Sequence, residues 1–292
     1  KDKDMITLES LGFARSNLKS LNIPTGSNGG KQLLVDFDRR MDKYKQLRDY
    51  PGKKGVSYLS VHNRFGTLSI REQASIAYNK NTEGSLVWLN ELVWRDFYFQ
   101  ITSNFPHVCD NKSFKPQYDN LNFENNLEYF KAWTEARTGF PIIDAAMNQL
   151  NHTGFMHNRL RMIVASFLVK DLLIDWRWGE DYFAKKLIDF DFSANNGGWQ
   201  WAASTGCDAQ PWFRIFNPLL QSQKFDPEGI FIKKYLPSLE PLSNKEIHQP
   251  YDFYLKKPSN FPIIFGDDYP IPIVDHAEQR AKALKMYENT KL

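Results

Sequence analysis

The sequence predicts an all-α fold. Apolar residues recur at intervals of three and four along several long segments, which is the spacing of one buried face of an α-helix. No alternation of apolar and polar residues lasts long enough to indicate a sheet. The chain has 292 residues, enough to bury a large core. Its aromatic content of 15% favours either a large helical interior or a protein that stacks on flat rings or handles electrons.

Composition excludes several classes of protein. The net charge of +3 does not demand a nucleic-acid partner, so any anion site must come from local clustering. The longest apolar runs, such as Ile163 to Val169, are far shorter than a bilayer span, so we expect no membrane partner. Cys109 and Cys207 cannot form a disulfide framework and lack metal-ligand spacing. We therefore expect no metal and two reduced thiols in a cytosolic protein.

The first 31 residues are predicted to be a short leader or the remnant of an interdomain linker, without a signal peptide. Residues 24–31, PTGSNGGK, are predicted to be a flexible connector. Residues 32–292 are predicted to form one helical domain. Its first helix is indicated by Leu33, Leu34 and Phe37.

Further helices follow along the chain, and the proline-rich residues 257–273 are predicted to be extended. The second helix carries Glu91, Trp94 and Tyr98 on one face. The predicted helices span residues 84–103, 142–151, 157–175 (with Trp176 at the end), 179–188 and 275–290.

The run DFDFSANNGGWQW at residues 189–201 carries the strongest chemical signal. Two carboxylates, two amides and two glycines precede a pair of tryptophans. Paired glycines let the backbone approach a flat ligand, and amides offer both donors and acceptors. If Gly198 opens a helix, Trp199 and Trp201 point about 200° apart, one inward and one towards a cavity. The alternative is a capped helix with two tryptophans in the core.

A second signal is the segment Asn158 to Met162, whose first and last residues share a helix face. Alone, it is equally typical of a solvated basic turn. Together with Glu91 and Trp94 it supplies an acid, wide rings, an amide and a thioether, the residue types of a pocket for a flat ligand. No GxSxG motif and no cluster of metal ligands appears.

Four segments, residues 88–98, 138–147, 156–162 and 189–206, carry a family resemblance. From about residue 35 onward, the sequence closely resembles the FAD-binding domain of class I cyclobutane-pyrimidine-dimer DNA photolyases. The resemblance implies a helical FAD-binding domain of the photolyase/cryptochrome type. It also implies that the family's N-terminal α/β antenna domain, with its folate or deazaflavin, is absent from this chain.

The resemblance implies a set of cofactor contacts. The Tyr44 region and residues 56–60 match segments that bind the phosphates and ribose of FAD. The family usually has a hydroxyl residue where this chain has Val56, so Ser57, Ser60 and backbone amides are expected to bind the phosphates. Asn195 matches the amide beside the flavin N5, and an amide there favours repair over signalling. The implied FAD-contacting residues are Tyr44, Val56, Ser57, Tyr58, Leu59, Ser60, Trp88, Asp189, Phe190, Asp191 and Asn195.

The resemblance also implies light-driven repair of DNA, a carbon–carbon lyase reaction in which excited, reduced FAD gives an electron to a flipped-out pyrimidine dimer. Trp94 and Trp201 match the rings that wedge against the dimer, and Glu91 matches the acid that binds the pyrimidine edge. Asn158 and Met162 match further contacts; the (6-4) photolyases have a histidine at the former position. The implied DNA-contacting residues are Arg48, Glu91, Trp94, Arg95, Tyr98, Asn158, Arg159, Arg214 and Gln221.

Light-driven reduction of the flavin requires a relay of oxidisable rings. Trp199 and Trp176 match its first two members, but the third position aligns with Phe123, which is too hard to oxidise. We therefore expect slow or rerouted photoreduction. Possible substitutes are Trp133, Trp178, Tyr118 and Tyr129, for each of which ordinary packing is the alternative.

Two rival functions share the implied fold. One is a cryptochrome-like blue-light photoreceptor that signals through protein partners. The other is an FAD-binding fragment that is inert without its missing half. The residues that match pyrimidine-dimer contacts favour repair of UV-damaged DNA. We also expect a monomer and a location in the bacterial cytosol.

Overall fold

The computed structural model describes residues 6–7, 9–13, 17–256, 259 and 261–291. These residues form an all-α architecture whose one β feature in the described ranges is an isolated bridge between Phe265 and Tyr269. The predicted fold class is therefore confirmed. The helices are α1 (Gly26–Asp38), α2 (Tyr44–Leu47), α3 (Ser60–Phe65), α4 (Ile70–Lys80), α5 (Glu83–Asn104), α6 (Leu127–Thr134), α7 (Pro141–Thr153), α8 (Asn158–Lys170), α9 (Trp176–Lys186), α10 (Phe192–Ala202), α11 (Pro218–Phe225), α12 (Ile230–Tyr235), α13 (Pro250–Lys256) and α14 (His276–Glu288).

Two hydrophobic clusters form the interior. The larger one is built around α7 to α10 and buries wide rings such as Trp133, Trp176 and Phe183. The smaller one joins α1, α2 and α5 through residues such as Phe37 and Trp88. Helix α5 packs against α10, so the two clusters meet along this helix pair.

Several predicted helices are confirmed, with bounds that differ by one or two residues. The segment 84–103 is α5, where Thr82 and Ser85 form a reciprocal capping box. The segment 142–151 is α7, which begins at Pro141 because proline is well suited to the first helical position. The final helix is α14, where Asp275 accepts a hydrogen bond from the amide of Glu278.

The flexible connector predicted at residues 24–31 is wrong, because α1 begins at Gly26. The glycines allow close packing here. A Cβ at Gly29 would lie 2.4 Å from the carbonyl carbon of Pro24, and one at Gly30 would lie 2.8 Å from Leu68 Cγ. Helix α1 crosses the predicted boundary between residues 31 and 32, and the rest of the predicted leader includes residues 1–5, 8 and 14–16, which lie outside the described ranges. That domain boundary stays a prediction.

The single helix predicted over residues 157–175 is also wrong. Helix α8 ends at Lys170, and Leu173 has a φ of 52°, in the left-handed region that a helix cannot continue through. Helix α9 then begins at Trp176, because Asp175 caps it by accepting from the amide of Arg177 at 3.0 Å. Trp176 therefore opens a helix and does not end one.

Gly198 does not open a helix either. Helix α10 begins six residues earlier, where Asp191 caps it by accepting from the amide of Ala194 at 3.0 Å. Residues 257, 258 and 260 of the segment predicted to be extended lie outside the described ranges. The remainder, residues 261–273, is irregular and turns back at the Phe265–Tyr269 bridge, so it is not extended throughout.

Candidate functional site

Helix α10 presents one open, polar face. Asp191, Asn195 and Gly198 are spaced by four and three residues and therefore lie on the same side. A Cβ at Gly198 would have no heavy atom within 4 Å, so the space beside this stretch of backbone is open. Trp199, four residues after Asn195, is buried against α9, where a Cβ at Gly179 would lie 2.0 Å from its ring. Trp199 is thus the inward ring of the pair and Trp201 is half-buried; that Trp201 faces a ligand cavity stays a prediction.

A hydrogen bond to α9 orients the side chain of Asn195. The Nδ2 of Asn195 donates to the main-chain carbonyl of Glu180 at 3.0 Å, which leaves Oδ1 as the end available on the open face. Nδ2 of the next residue, Asn196, donates to the Glu180 carboxyl at 2.9 Å. Burial raises the pKa of Glu180 to about 7, against the opposing effect of the Asn196 hydrogen bond. Sequence reasoning missed Glu180, because no local pattern marks a residue that acts across two helices.

Asp189 forms a double hydrogen bond with Arg161. The Nη2 of Arg161 lies 3.0 and 2.8 Å from the two carboxylate oxygens, and the Asp189 side chain is only 3% exposed. Arg161 also donates through Nε to the carbonyl of Met156 at 2.9 Å. Any contact that Asp189 makes with a ligand is therefore shared with this ion pair, which ties α8 to the start of α10.

Two further ion pairs tie α5 and α8 to Arg48 and Asp49, which follow α2. Arg48 Nη1 lies 2.5 Å from Glu91 Oε1, and Arg159 Nη2 lies 2.8 Å from Asp49 Oδ1. Because Arg48 and Asp49 are consecutive, the four charges form a ladder across the site. The Arg48 guanidinium also lies 5.3 Å from the ring centre of Tyr44. The charges of Arg48 and Arg159 are thus balanced by internal carboxylates. A DNA phosphate that contacts either arginine would share it with its carboxylate partner.

Aromatic rings surround the crossing of α5 and α10. A Cβ at Gly197 would lie 2.1 Å from the ring of Tyr98, so the absence of a side chain there lets the two helices approach. Trp94 is 44% exposed and packs against Tyr98 with ring centres 6.1 Å apart. Trp201 contacts Phe216 at 6.3 Å. Helices α5 and α10, which carry the two predicted wedge tryptophans, therefore pack together, and Trp94 is open to solvent.

The predicted phosphate-binding segment lies before α3. Val56, Ser57 and Ser60 are half-buried, and the Ser57 hydroxyl accepts from the amide of Leu59 at 3.4 Å. Tyr58 has a φ of 59°, and its side chain lines a cavity of about 230 Å³ together with Phe155 and His157.

Tyr44 and Trp88, both predicted to contact the cofactor, are buried in the smaller cluster, where Trp88 meets the ring of Phe37 at 4.9 Å. Phe190 contributes its main-chain carbonyl, which accepts from Arg64.

The remaining predicted residues are more dispersed. Asn158 is exposed and Met162 half-buried on α8, while Arg95 lies over the ring of Phe99 at 4.6 Å. Arg214 is exposed in the irregular segment after α10, and Gln221 is half-buried on α11.

A cavity of about 420 Å³ lies between α7, α11, α13 and α14, and none of the predicted site residues lines it.

The ring contacts of Trp199 differ from the predicted relay. Its ring centre lies 5.0 Å from Phe183 and 6.2 Å from Trp133. Trp133 continues to Tyr182 at 5.6 Å. Trp176 is fully buried, and its indole N–H has no hydrogen-bond partner among the described residues. Of the proposed substitutes, Trp133 is the one for which a ring contact with Trp199 is recorded in the described part of the chain.

Other substitutes lie further along or elsewhere. Trp178 reaches Trp133 through Phe130, with ring centres 5.2 and 6.0 Å apart at the two contacts. Tyr118 contacts Tyr287 at 6.1 Å. Tyr129 packs at the edge of the larger cluster. Trp133 therefore joins Trp199 to further oxidisable rings.

Within the described ranges, no group of three or more histidine, cysteine, aspartate or glutamate side chains is arranged to hold a metal ion. Among the helices described, none combines the length and the apolar character needed to cross a bilayer.

Comparison with known proteins identifies the family. The family model for the FAD binding domain of DNA photolyase matches residues 88–289, which include most of α5 and all of α8, α9 and α10. This chain belongs to the DNA photolyase FAD-binding family. The predicted resemblance is therefore confirmed.

Curated photolyase relatives are similar over most of this chain. The deoxyribodipyrimidine photo-lyase of Vibrio cholerae is 48% identical over 264 residues, covering 88% of this chain and 55% of the relative. That of Escherichia coli is 45% identical over 285 residues, covering 96% and 59% respectively. The chain thus spans little more than half the length of these relatives.

Solved photolyase and cryptochrome structures share the fold. A bacterial class III photolyase from Agrobacterium tumefaciens has a TM-score of 0.89 at 38% identity, covering 94% of this chain and 58% of that one. A cryptochrome from Synechocystis has a TM-score of 0.84 at 32% identity, covering 94% and 59%. In both photolyase and cryptochrome, this chain corresponds to somewhat over half of the protein.

Proposed function

We propose that this chain is the FAD- and DNA-binding catalytic part of an enzyme that repairs cyclobutane pyrimidine dimers in light. The observation that carries the proposal is the open face of α10, where Gly198 leaves free space beside the oriented amide of Asn195. This face lies beside α5, which carries Glu91 and Trp94.

The residues of this face fit a flavin. Gly198 leaves the helix backbone accessible to a flat ring, and the Asn195 Oδ1 is free to accept a hydrogen bond from a ring N–H. The Arg161–Asp189 pair next to α10 adds a fixed dipole with no net charge. Tyr44 and Trp88, buried in the smaller cluster, support the side of the flavin site formed by α2 and α5. Ser57 and Ser60 supply hydroxyls for the phosphates. When bound in its reduced form, FAD supplies the photoexcited electron that splits the cyclobutane ring and then returns.

The protein's own groups bind and orient the damaged DNA. Trp94 and Trp201 offer flat surfaces from α5 and α10 against which a flipped dinucleotide can stack. Glu91, held by Arg48, can accept hydrogen bonds from the ring N–H groups of the pyrimidines. Arg214, an exposed cation in the segment that follows α10, is expected to add a phosphate contact.

Illumination of damaged DNA tests this proposal. Reduced protein is mixed with an oligothymidine that contains dimers and exposed to near-UV light. We expect the absorbance of intact thymine to recover, and to recover much less with Glu91→Ala or Trp201→Ala. No recovery with the parent protein, in a sample whose flavin was yellow before reduction, would contradict repair and favour a photoreceptor. A sample that stays colourless after reconstitution with FAD would contradict flavin binding itself.

The monomeric state and the cytosolic location remain predictions. Size-exclusion chromatography with light scattering, on the protein with and without damaged DNA, measures the first. One protein per dimer-containing oligonucleotide is expected, because each oligonucleotide offers one flipped dinucleotide.

A further inference from the structure

Lys170, the last residue of α8, is completely buried. An ammonium group removed from water is costly unless it is hydrogen-bonded. Burial lowers the pKa of Lys170 to about 7, against the opposing effect of the neighbouring Asp171 carboxylate. An apolar side chain of similar size would fill the same space without this cost. The hydrogen bonds of the Lys170 ammonium group therefore indicate what the lysine does.

The Lys170 ammonium joins the two ends of one segment. Its Nζ donates to Ser204 Oγ at 2.9 Å and to the main-chain carbonyl of Arg214 at 3.0 Å. Both acceptors lie in the irregular segment 203–217, which connects α10 to α11. Ser204 has a φ of 64°, an uncommon left-handed conformation for a residue with a side chain, at the point where the segment leaves α10.

Tyr287 of α14 completes the same anchor. Its ring lies 5.6 Å from the Lys170 ammonium, and its hydroxyl donates to the carbonyl of Ala203 at 2.6 Å. Trp212, within the segment, stacks on Tyr287 with ring centres 6.3 Å apart and planes 20° apart. The segment is therefore held at its start, in its middle and near its end, and Lys170 contacts two of these points.

We propose that Lys170 is a positioning residue for DNA binding, which holds Arg214 in a fixed place relative to Trp201. Trp201 precedes the clamped segment by two residues, and Arg214 is exposed at its far end. Lys170 itself lies beneath the segment and touches no DNA. The inference rests on the proposed function, in which Trp201 contacts the dimer and Arg214 a phosphate.

The test is a double-mutant cycle on DNA affinity. Lys170→Met, Arg214→Ala and the double variant are titrated with dimer-containing oligonucleotide at several salt concentrations. Arg214→Ala is expected to reduce the slope of log K against log salt by about 0.9, the effect of one phosphate contact. Lys170→Met is expected to reduce it by the same amount, and the double variant by no more than either single variant. In repair assays the KM for DNA should rise while kcat is unchanged.

Ser166→Ala is the matched control. Ser166 lies on the same helix, is completely buried and has no hydrogen-bond partner for its hydroxyl among the described residues. It should leave both affinity and salt slope unchanged. The denaturant midpoint of Lys170→Met checks that the variant is folded, since the change removes the cost of a buried cation but leaves the Ser204 hydroxyl and the Arg214 carbonyl without their donor.

Other outcomes separate the possibilities. The positioning role would be overturned, with repair left intact, if Lys170→Met binds DNA with the affinity and salt slope of the parent. Additive losses of affinity in the double variant would overturn it as well. A parent protein that does not bind dimer-containing DNA would overturn the proposed function itself. If Lys170→Met does not fold, Ser204→Gly tests the same clamp, since glycine tolerates this φ and removes one acceptor. It should reduce the slope in the same direction, and an unchanged slope would overturn the inference.

Discussion

The side-chain nitrogen of Asn195 lies 3.0 Å from the main-chain carbonyl oxygen of Glu180, and this contact decides which end of the amide faces the open side of α10. A main-chain carbonyl can only accept, so the NH2 group must point towards it and the oxygen away from it. The same residue, Glu180, binds Asn196 through its carboxyl group at 2.9 Å. One residue of α9 thus orients two consecutive amides of α10.

Asn195→Asp should impair the reduced enzyme. A carboxylate has no donor for the Glu180 carbonyl, so the variant loses the orienting hydrogen bond and adds a negative charge beside the flavin. Added negative charge disfavours the electron-rich reduced ring. We expect a lower flavin midpoint potential, faster reoxidation in air and less repair per photon. Spectroelectrochemical titration measures the potential; a potential equal to that of the parent would contradict this role.

Glu180→Gln should change how stability depends on pH. Burial raises the pKa of Glu180 from 4.5 to about 7, so the folded state favours its neutral form. The stabilising effect is complete below pH 4.5 and is lost as pH rises towards 7, a change of about 3 kcal/mol in the free energy of unfolding. Glutamine stays neutral and can still accept from Asn196. The variant should therefore be more stable than the parent at pH 8 and similar at pH 4.5.

Denaturant unfolding at both pH values measures this difference. Glu240→Gln, at an exposed position, is the control and should show no such dependence. A Glu180→Gln stability that follows the parent at both pH values would show that folding does not raise the pKa of this carboxyl.

Asp189→Asn should destabilise the junction of α8 and α10. It leaves the Arg161 guanidinium without its charged partner in a partly buried position, which should lower the free energy of unfolding by about 2 kcal/mol. Replacing both partners, with Arg161→Met and Asp189→Leu, should recover part of this loss because no unpaired charge remains. Urea unfolding gives the stability, and retention of FAD on desalting gives the effect on binding. Equal stability of Asp189→Asn and the parent would show that solvent replaces the carboxylate.

Trp133→Phe should slow photoreduction of the flavin. Trp199 contacts Trp133 at 6.2 Å, and Trp133 leads on to Tyr182 and, through Phe130, to Trp178. In this hypothesis the photoexcited oxidised flavin would take one electron from Trp199. Trp133 then gives an electron to Trp199, and an added thiol finally reduces the outer ring. Flash spectroscopy of tryptophan radical lifetime and steady-state reduction with the thiol measure the effect. Repair by enzyme reduced chemically beforehand should be unaffected.

The outcome for other rings sharpens this test. Phe123→Trp should speed photoreduction if the relay through Trp176 is limited by its third position. A long-lived tryptophan radical that survives unchanged in Trp133→Phe and Trp178→Phe would show that neither ring carries the charge.

Local sequence patterns were sufficient for the helical class and for several elements. The period of Glu91, Trp94 and Tyr98 predicted α5, and Pro141 and Asp275 mark the starts of α7 and α14 through contacts within one turn. Local reasoning failed where a glycine had two possible uses. The glycines of residues 24–31 predict a flexible connector, whereas in the structure Gly29 and Gly30 allow helix α1 to pack closely against Pro24 and Leu68.

By itself, the sequence determined the helical fold and, through ordered motifs, membership of the photolyase family, because capping, helical period and motif order are properties of neighbouring residues. Only the tertiary structure decided which groups meet: Arg161 with Asp189, Asn195 with Glu180, and Lys170 with the carbonyl of Arg214. These partners are separated by 28, 15 and 44 residues, and no residue type or spacing encodes such pairs. They arise because helices packed around a shared core bring distant polar groups out of water, where each must find a partner.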